Sequence, residues 1–348
     1  MNYRLLGRSG VRVSELALGT MTFGTEWGFG VDRAESKKMF DLFGEAGGNF
    51  IDTANVYTQG TSERFVGEFI APERDHWVLA TKYSLAQLNP EDPNASGNHR
   101  KNLRQAVEAS LERLDTDYID LLWVHAWDYT ARVDEVMRGL DDLVRAGKVL
   151  YVGISDTPAW VAAQANTLAE LRGWTPFTAL QLRYSLVDRT AERDLLPMAR
   201  EFDLAVTPWS VLAAGVLTGK YNRDKPPEVG RAKDKAAKVE RNLEIAQAVI
   251  EVADEIGCAP AQVAISWVQQ QDGVVVPLVG ARNADQLRVN LGALDVTLTD
   301  EQLERLAEAS ALDLGFPHDM IGPHGSGKSY IYGEYLEKLD IHRGEMKT

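Results

Sequence analysis

From Asp32 onward the chain alternates short apolar runs with amphipathic segments, and no other feature limits its fold so tightly. Strands separated by helices pair in parallel, because the crossover helices cover both faces of the sheet. With one strand at Leu16–Gly19, the runs continue at Phe50–Thr53, Trp77–Lys82, Tyr118–His125, Val149–Ile154, Thr178–Leu182, Ala205–Pro208 and Val274–Val279. Helices are expected over Arg33–Ala46, Ser62–Ile70, Arg100–Arg113, Val133–Ala146, Ala159–Leu171, Glu192–Phe202, Arg241–Ile256, Pro260–Gln270 and Asp285–Leu291. Asn98, Gly147 and Pro158 stand where helix starts and stops want them.

About eight strands, each followed by a helix, predict an α/β protein whose sheet closes as a (β/α)8 barrel. The opening residues, with a turn at Gly7-Arg8-Ser9-Gly10, predict an N-terminal β-hairpin. An open dinucleotide-binding sheet is the rival, but Gly28-Phe29-Gly30 lacks a third glycine and follows no convincing strand. The 348 residues would suit two average domains, yet barrels with insertions fold as one unit. One domain over 1–348 is expected, with a barrel core of about 15–310 and an extended C-terminal tail of about 311–348. The long irregular stretches at about 83–98 and 213–239 suit binding loops or connectors.

The net charge of −14, with no basic run, argues against a nucleic-acid partner. A single cysteine, Cys258, excludes an intramolecular disulfide and thiolate-cluster metal binding. The first residues lack the apolar core of a signal peptide, and no apolar run approaches bilayer length, so a cytoplasmic location without a membrane partner is expected.

Barrel enzymes carry their chemistry at the C-terminal ends of the strands. Four polar residues fall there: Asp52 and Tyr57 after the second barrel strand, Lys82 closing the third and His125 closing the fourth. An ammonium beside a phenol pulls its pKa down from about 10 toward a useful acid, and a carboxylate supplies the ammonium's counter-charge. A histidine at the same rim is able to orient a carbonyl. Taken singly, Asp52 also reads as a strand-end cap, Tyr57 as a loop aromatic, Lys82 as a surface charge and His125 as a core histidine beside Trp123 and Trp127. Their coincidence at one mouth favours chemistry over those readings.

The motifs NFIDTANVY (Asn49–Tyr57), LATK (Leu79–Lys82), DYIDLLWVH (Asp117–His125), YVGISD (Tyr151–Asp156), ALQLRYSL (Ala179–Leu186), TPWSVLAAGVLTGKY (Thr207–Tyr221) and VPLVGARNADQLRVNLGALD (Val276–Asp295) follow in order along nearly the whole chain. In these the sequence resembles the aldo-keto reductase family. The resemblance implies an NADPH-dependent barrel enzyme that reduces an aldehyde or ketone, with Asp52, Tyr57, Lys82 and His125 as its catalytic tetrad. It implies that hydride passes to the carbonyl carbon while Tyr57 protonates the oxygen.

The resemblance further places the nicotinamide amide at Ser155, Asp156 and Gln181, with Trp209 stacking on the ring and Ser210 shaping the turn. Asp156 departs from the usual asparagine and is unable to donate to the amide oxygen. Leu212, Gly215, Leu217, Gly219 and Lys220 would follow the pyrophosphate. Gly280, Arg282, Gln286 and Asn290 would hold the 2′-phosphate, for which a guanidinium is well shaped. Phe23, Trp27, Trp127 and Tyr129 are expected around the substrate mouth. Some members of the superfamily act as cofactor-sensing subunits of membrane channels, which is the non-catalytic alternative. A literal phosphate-loop pattern at Gly322–Ser329 follows no predicted strand and reads as a coincidence.

Overall fold

The computed structural model describes residues 1–86, 91–222, 239–321 and 327–338. The N-terminal strands β1 (Tyr3–Leu5) and β2 (Arg12–Ser14) form an antiparallel hairpin. Eight parallel strands follow: β3 (Ala17–Gly19), β4 (Phe50–Asp52), β5 (Val78–Tyr83), β6 (Ile119–Val124), β7 (Val149–Ser155), β8 (Phe177–Arg183), β9 (Ala205–Trp209) and β10 (Leu278–Val279). They pair in chain order, and β10 returns to β3. The seam beside β9 closes through Val206, whose amide donates to Val274 (2.7 Å) and whose carbonyl accepts from Val276 (2.8 Å). The expected (β/α)8 barrel is therefore present.

Around it lie α1 (Arg33–Glu45), α2 (Thr61–Ile70), α3 (Arg100–Leu114), α4 (Val133–Arg145), α5 (Ala159–Arg172), α6 (Leu195–Glu201), α7 (Glu240–Ile256), α8 (Pro260–Gln269), α9 (Ala284–Leu291) and α10 (Asp300–Ala309). In α4 the buried Val133, Val136, Met137 and Leu140 recur at helical spacing as one stripe, whereas α8 is buried almost all round. Among the described residues no helix is long and apolar enough to cross a membrane.

Four sequence expectations need correction. The eighth barrel strand was expected over Val274–Val279, but only Leu278–Val279 is regular, because Pro277 has no N–H to continue the ladder. The sixth helix starts at Leu195 rather than Glu192, after a separate turn at Thr190–Arg193, which leaves Pro197 in the first turn where a missing N–H costs nothing. His99, not Asn98, caps α3: its Nδ1 accepts from Asn102 N (3.2 Å). Asn98 instead ties two rim loops together, donating to Ala126 O (2.9 Å) and accepting from Asp128 N (2.8 Å). Finally, α10 was not anticipated, although Thr299 and Gln302 form its capping box, a readable signal.

The barrel interior is a core separate from the layer between sheet and helices. It contains Ala17, Phe50, Val78, Ala80, Leu121, Trp123, Ala179, Ala205 and Val276, joined from below by Leu6 and Val13 of the hairpin. Trp123 fills so much of this space that a Cβ on Gly153 would lie 2.4 Å from its ring. Side chains alternate across a strand, so every second residue above these points inward as well. That parity delivers Asp52 above Phe50, Lys82 above Ala80, His125 above Trp123, Ser155 above Gly153 and Gln181 above Ala179.

The tail beyond α10 includes short helices at His318–Ile321 and Lys328–Tyr332. Residues 322–326 of the phosphate-loop pattern lie outside the described residues, as do 87–90 and 223–238 of the two long irregular stretches. The element before the pattern is the His318–Ile321 helix, not the strand a phosphate loop requires.

Candidate active site

Lys82 and Asp52 are fully buried on neighbouring strands and form an ion pair. Burial alone would strip the ammonium of its proton, and a buried charge persists only when paired and hydrogen-bonded. Lys82 Nζ also donates to Thr53 O (2.6 Å), while Asp52 Oδ1 accepts from Gln181 Nε2 (3.0 Å) across the barrel. Burial works against the charged lysine, but Asp52 and then Tyr57 outweigh it and hold its pKa above the ordinary value.

Tyr57 begins the turn Tyr57–Gly60 that leaves β4. Thr58 and Gln59 both adopt left-handed backbone, with φ of 44° and 57°, a costly arrangement for residues other than glycine. Thr58 pins the turn by donating to Phe23 O (2.5 Å) and accepting from Ser62 N (3.1 Å). The Lys82 Nζ stands 4.8 Å from the centroid of the phenol ring. His125 meets the same ring edge to face at 6.0 Å.

The electrostatic outcome differs from the sequence expectation in one respect. Burial pushes the Tyr57 pKa up by more than Lys82 pulls it down, and Asp52 adds to the rise. The phenol therefore keeps its proton at neutral pH. Burial, followed by the Lys82 charge, pushes His125 down to about 3, so its imidazole is neutral. Its Nδ1 is buried without a hydrogen-bond partner among the described residues.

A cavity of about 1000 Å³ opens from Asp52, Tyr57 and His125 and runs to Arg282 at the far rim. Ser155, Asp156, Gln181, Trp209, Ser210, Leu212, Gly215, Lys220, Gly280, Gln286 and Asn290 share its wall. The buried Ser155 Oγ has no protein partner among the described residues. Asp156 Oδ1 accepts from Trp209 Nε1 (3.0 Å), a contact the sequence did not suggest. At the other end Gln286 Oε1 accepts from Arg282 N (3.1 Å), and Asn290 Nδ2 donates to Gly280 O (3.2 Å).

The substrate mouth is only partly as expected. Trp27 lines the cavity and stands edge to face with Tyr57 at 6.1 Å. Phe23 does not line it; it is 1% exposed and packs edge-on against Phe69 in the outer core. Trp127 is half-buried against that same core, away from the cavity wall. Both corrections share a cause: large apolar rings near a strand end are drawn under the rim loops as readily as into the mouth. Sequence reasoning missed Val56 and Leu85, which line the cavity just past β4 and β5. The rule that loops after barrel strands build the site would have found them. Among the described residues no group of three His, Cys, Asp or Glu side chains is placed to hold a metal.

A barrel with a buried lysine–aspartate pair, a phenol and a neutral imidazole at one mouth is a definite class of site, and comparison with known proteins gives it a family. The profile of the aldo/keto reductase family matches residues 15–311. This chain belongs to that family. It is 41% identical over 330 residues to a norsolorinic acid reductase of Aspergillus flavus, covering 92% of this chain and 84% of that protein. It is 41% identical over 333 residues to an aryl-alcohol dehydrogenase [NADP(+)] of Phanerodontia chrysosporium, covering 90% and 86%. A putative aryl-alcohol dehydrogenase of Saccharomyces cerevisiae is 38% identical over 335 residues, covering 92% and 89%.

Proposed function

We propose that this protein is an NADPH-dependent reductase of aryl aldehydes or ketones, with Tyr57 as the proton donor. The observation that carries the reading is the buried Lys82–Asp52 pair set against the Tyr57 phenol, beside a neutral His125. The cavity suits an extended dinucleotide: its lining runs from the orphaned Ser155 hydroxyl to Arg282, whose guanidinium fits a 2′-phosphate. NADPH, when bound, supplies the hydride. The relatives named for aryl alcohols and NADP(+) support both choices.

The residues divide the remaining work. His125, neutral, offers an N–H to a carbonyl oxygen and fixes its direction. Tyr57 holds its proton until negative charge develops on that oxygen, and the Lys82 ammonium then favours the phenolate left behind. Asp52 keeps Lys82 charged, and Gln181 holds Asp52 from the opposite strand. Trp27 and Leu85 supply apolar walls that shield the reacting centre from water.

The test is turnover by purified protein with NADPH and a panel of single-ring aryl aldehydes. NADPH should be consumed in step with aldehyde, and Tyr57→Phe should lower kcat by on the order of 10²–10⁴-fold without weakening NADPH binding. No consumption of NADPH across the panel, or an unaffected Tyr57→Phe rate, overturns the reading.

A further inference from the structure

Among the described residues three carboxylates line the cavity, those of Asp52, Asp156 and Asp285. Lys82 neutralises Asp52, and Arg288 pairs with Asp285 (3.0 Å). Asp156 has no ion-pair partner among the described residues; its Oδ1 accepts instead from the neutral Trp209 indole N–H (3.0 Å). The two cations that act on Asp156 from a distance, Arg183 and Lys82, are themselves paired, with Asp188 (2.6 Å) and Asp52. One carboxylate at the inner end of the cavity is therefore left uncompensated. Backbone geometry holds it in place: Asp156 follows β7 in the left-handed conformation, with φ of 40°, and its amide donates to Gln181 O (3.2 Å) on β8. From there the side chain reaches past β8 to Trp209 at the end of β9.

We infer that Asp156 sets the balance between the two redox states of the cofactor, its carboxylate favouring the positively charged oxidised nicotinamide over the neutral reduced one and so tilting the site toward carbonyl reduction. The inference rests on the reading that puts the nicotinamide against Ser155, Gln181 and Trp209. Hydride transfer to the carbonyl carbon, with the proton supplied by Tyr57, leaves one positive charge on a nicotinamide ring that was neutral before. A ring stacked on Trp209 lies beside the carboxylate that holds the indole, and it displaces water that would otherwise screen the two charges. The same attraction acts on the positive charge as it develops during transfer. Solvent in the cavity reaches Asp156, yet burial against the wall raises its pKa above the ordinary carboxylate value, opposed by the Trp209 N–H, Arg183 and Lys82. An asparagine here would give the indole an acceptor of the same shape with no charge. What the aspartate adds is the charge alone.

The test is calorimetric titration of the purified protein with NADP+ and with NADPH, read as the ratio of their Kd values. Contacts common to both nucleotides cancel in that ratio, so it reports the ring charge. Asp156→Asn should raise Kd for NADP+ relative to NADPH by about three- to tenfold, the scale of one charge pair in a partly solvated site. Asparagine tolerates left-handed backbone and keeps the acceptor for Trp209, so the variant folds. Asp285→Asn is the control, because it removes an equal charge from the same wall beside Arg282. It should leave the ratio where the wild type has it. An unchanged ratio in Asp156→Asn, with both nucleotides bound, overturns the inference while leaving the reductase reading intact. An equal shift in Asp285→Asn also overturns it, since the effect would then belong to net charge and not to this position. Binding of neither nucleotide defeats the cofactor reading and the inference together.

Discussion

Removing Lys82 strands the Asp52 carboxylate in the barrel interior, held among the described residues by Gln181 alone, so Lys82→Met should cost stability as well as rate. Breaking a buried pair from one side costs about 3–5 kcal/mol, while loss of the charge that favours the Tyr57 phenolate should lower kcat by on the order of 10²–10⁴-fold. The double variant Asp52→Asn/Lys82→Met separates these effects, because it leaves no orphaned charge. Thermal unfolding should show most of the lost stability restored while turnover stays low. Recovery of both would make the pair a structural device. His125 gives a second prediction at this scale. Its pKa falls from about 6.5 unfolded to about 3 folded. Between those values the unfolded chain binds a proton that the folded chain refuses, so the contribution to stability is full above pH 6.5 and drains as the pH falls. A shift of that size corresponds to on the order of 5 kcal/mol. Melting curves from pH 7 to 4 should fall more steeply for wild type than for His125→Asn; parallel curves would mean that the imidazole titrates normally.

The loop from β10 into α9 shows how an element presents a side chain at its own beginning. Asn283 caps α9 by accepting from Gln286 N (2.8 Å), Gln286 reaches back to the Arg282 amide, and the Arg282 side chain is left exposed at the cavity rim. If this end holds a 2′-phosphate, Arg282→Ala removes a charge-assisted contact worth about 1.5–3 kcal/mol. KM should then rise roughly 10–100-fold for NADPH and little for NADH; equal changes would place the phosphate elsewhere. Elements are also the scale at which the sequence was most legible. The apolar runs located all eight barrel strands because strands buried on both faces admit few polar residues, and strand parity brought Asp52, Lys82 and His125 to one rim. Boundaries blurred where a proline intervened, at Pro277 in the closing strand and Pro197 in α6. Contacts between distant segments were beyond reach: nothing near Asp156 in sequence announces Trp209, and nothing in the spacing of aromatics tells Phe23, drawn beneath the rim, from Trp27, left above it.

Across the whole molecule, the two ends of the barrel carry different burdens. The mouth gathers the polar side chains of the site, whereas the opposite end is shut by the hairpin, whose Leu6 and Val13 are fully buried against interior residues of the strands. The hairpin is latched there by Arg4, which donates to Val275 O (3.0 Å), and by the Arg8 amide, which donates to Asp203 O (2.8 Å). Gly7 lies so close to the strand starts that a Cβ would sit 2.3 Å from Thr178 O. This end holds none of the groups proposed for chemistry, so damage there should separate stability from turnover. Leu6→Ala leaves a hole in the barrel floor and should cost about 2–5 kcal/mol, read as a lower Tm. The surviving folded enzyme should keep its kcat and KM at room temperature, because the rim stays held by the Asn98 bridge between loops and by the Lys82–Asp52 pair. A Leu6→Ala protein with near-normal Tm would show that the hairpin is dispensable to the core. A fall in kcat with stability intact would show that the floor and the mouth are coupled through the interior core, in which the Trp123 ring packs against Gly153.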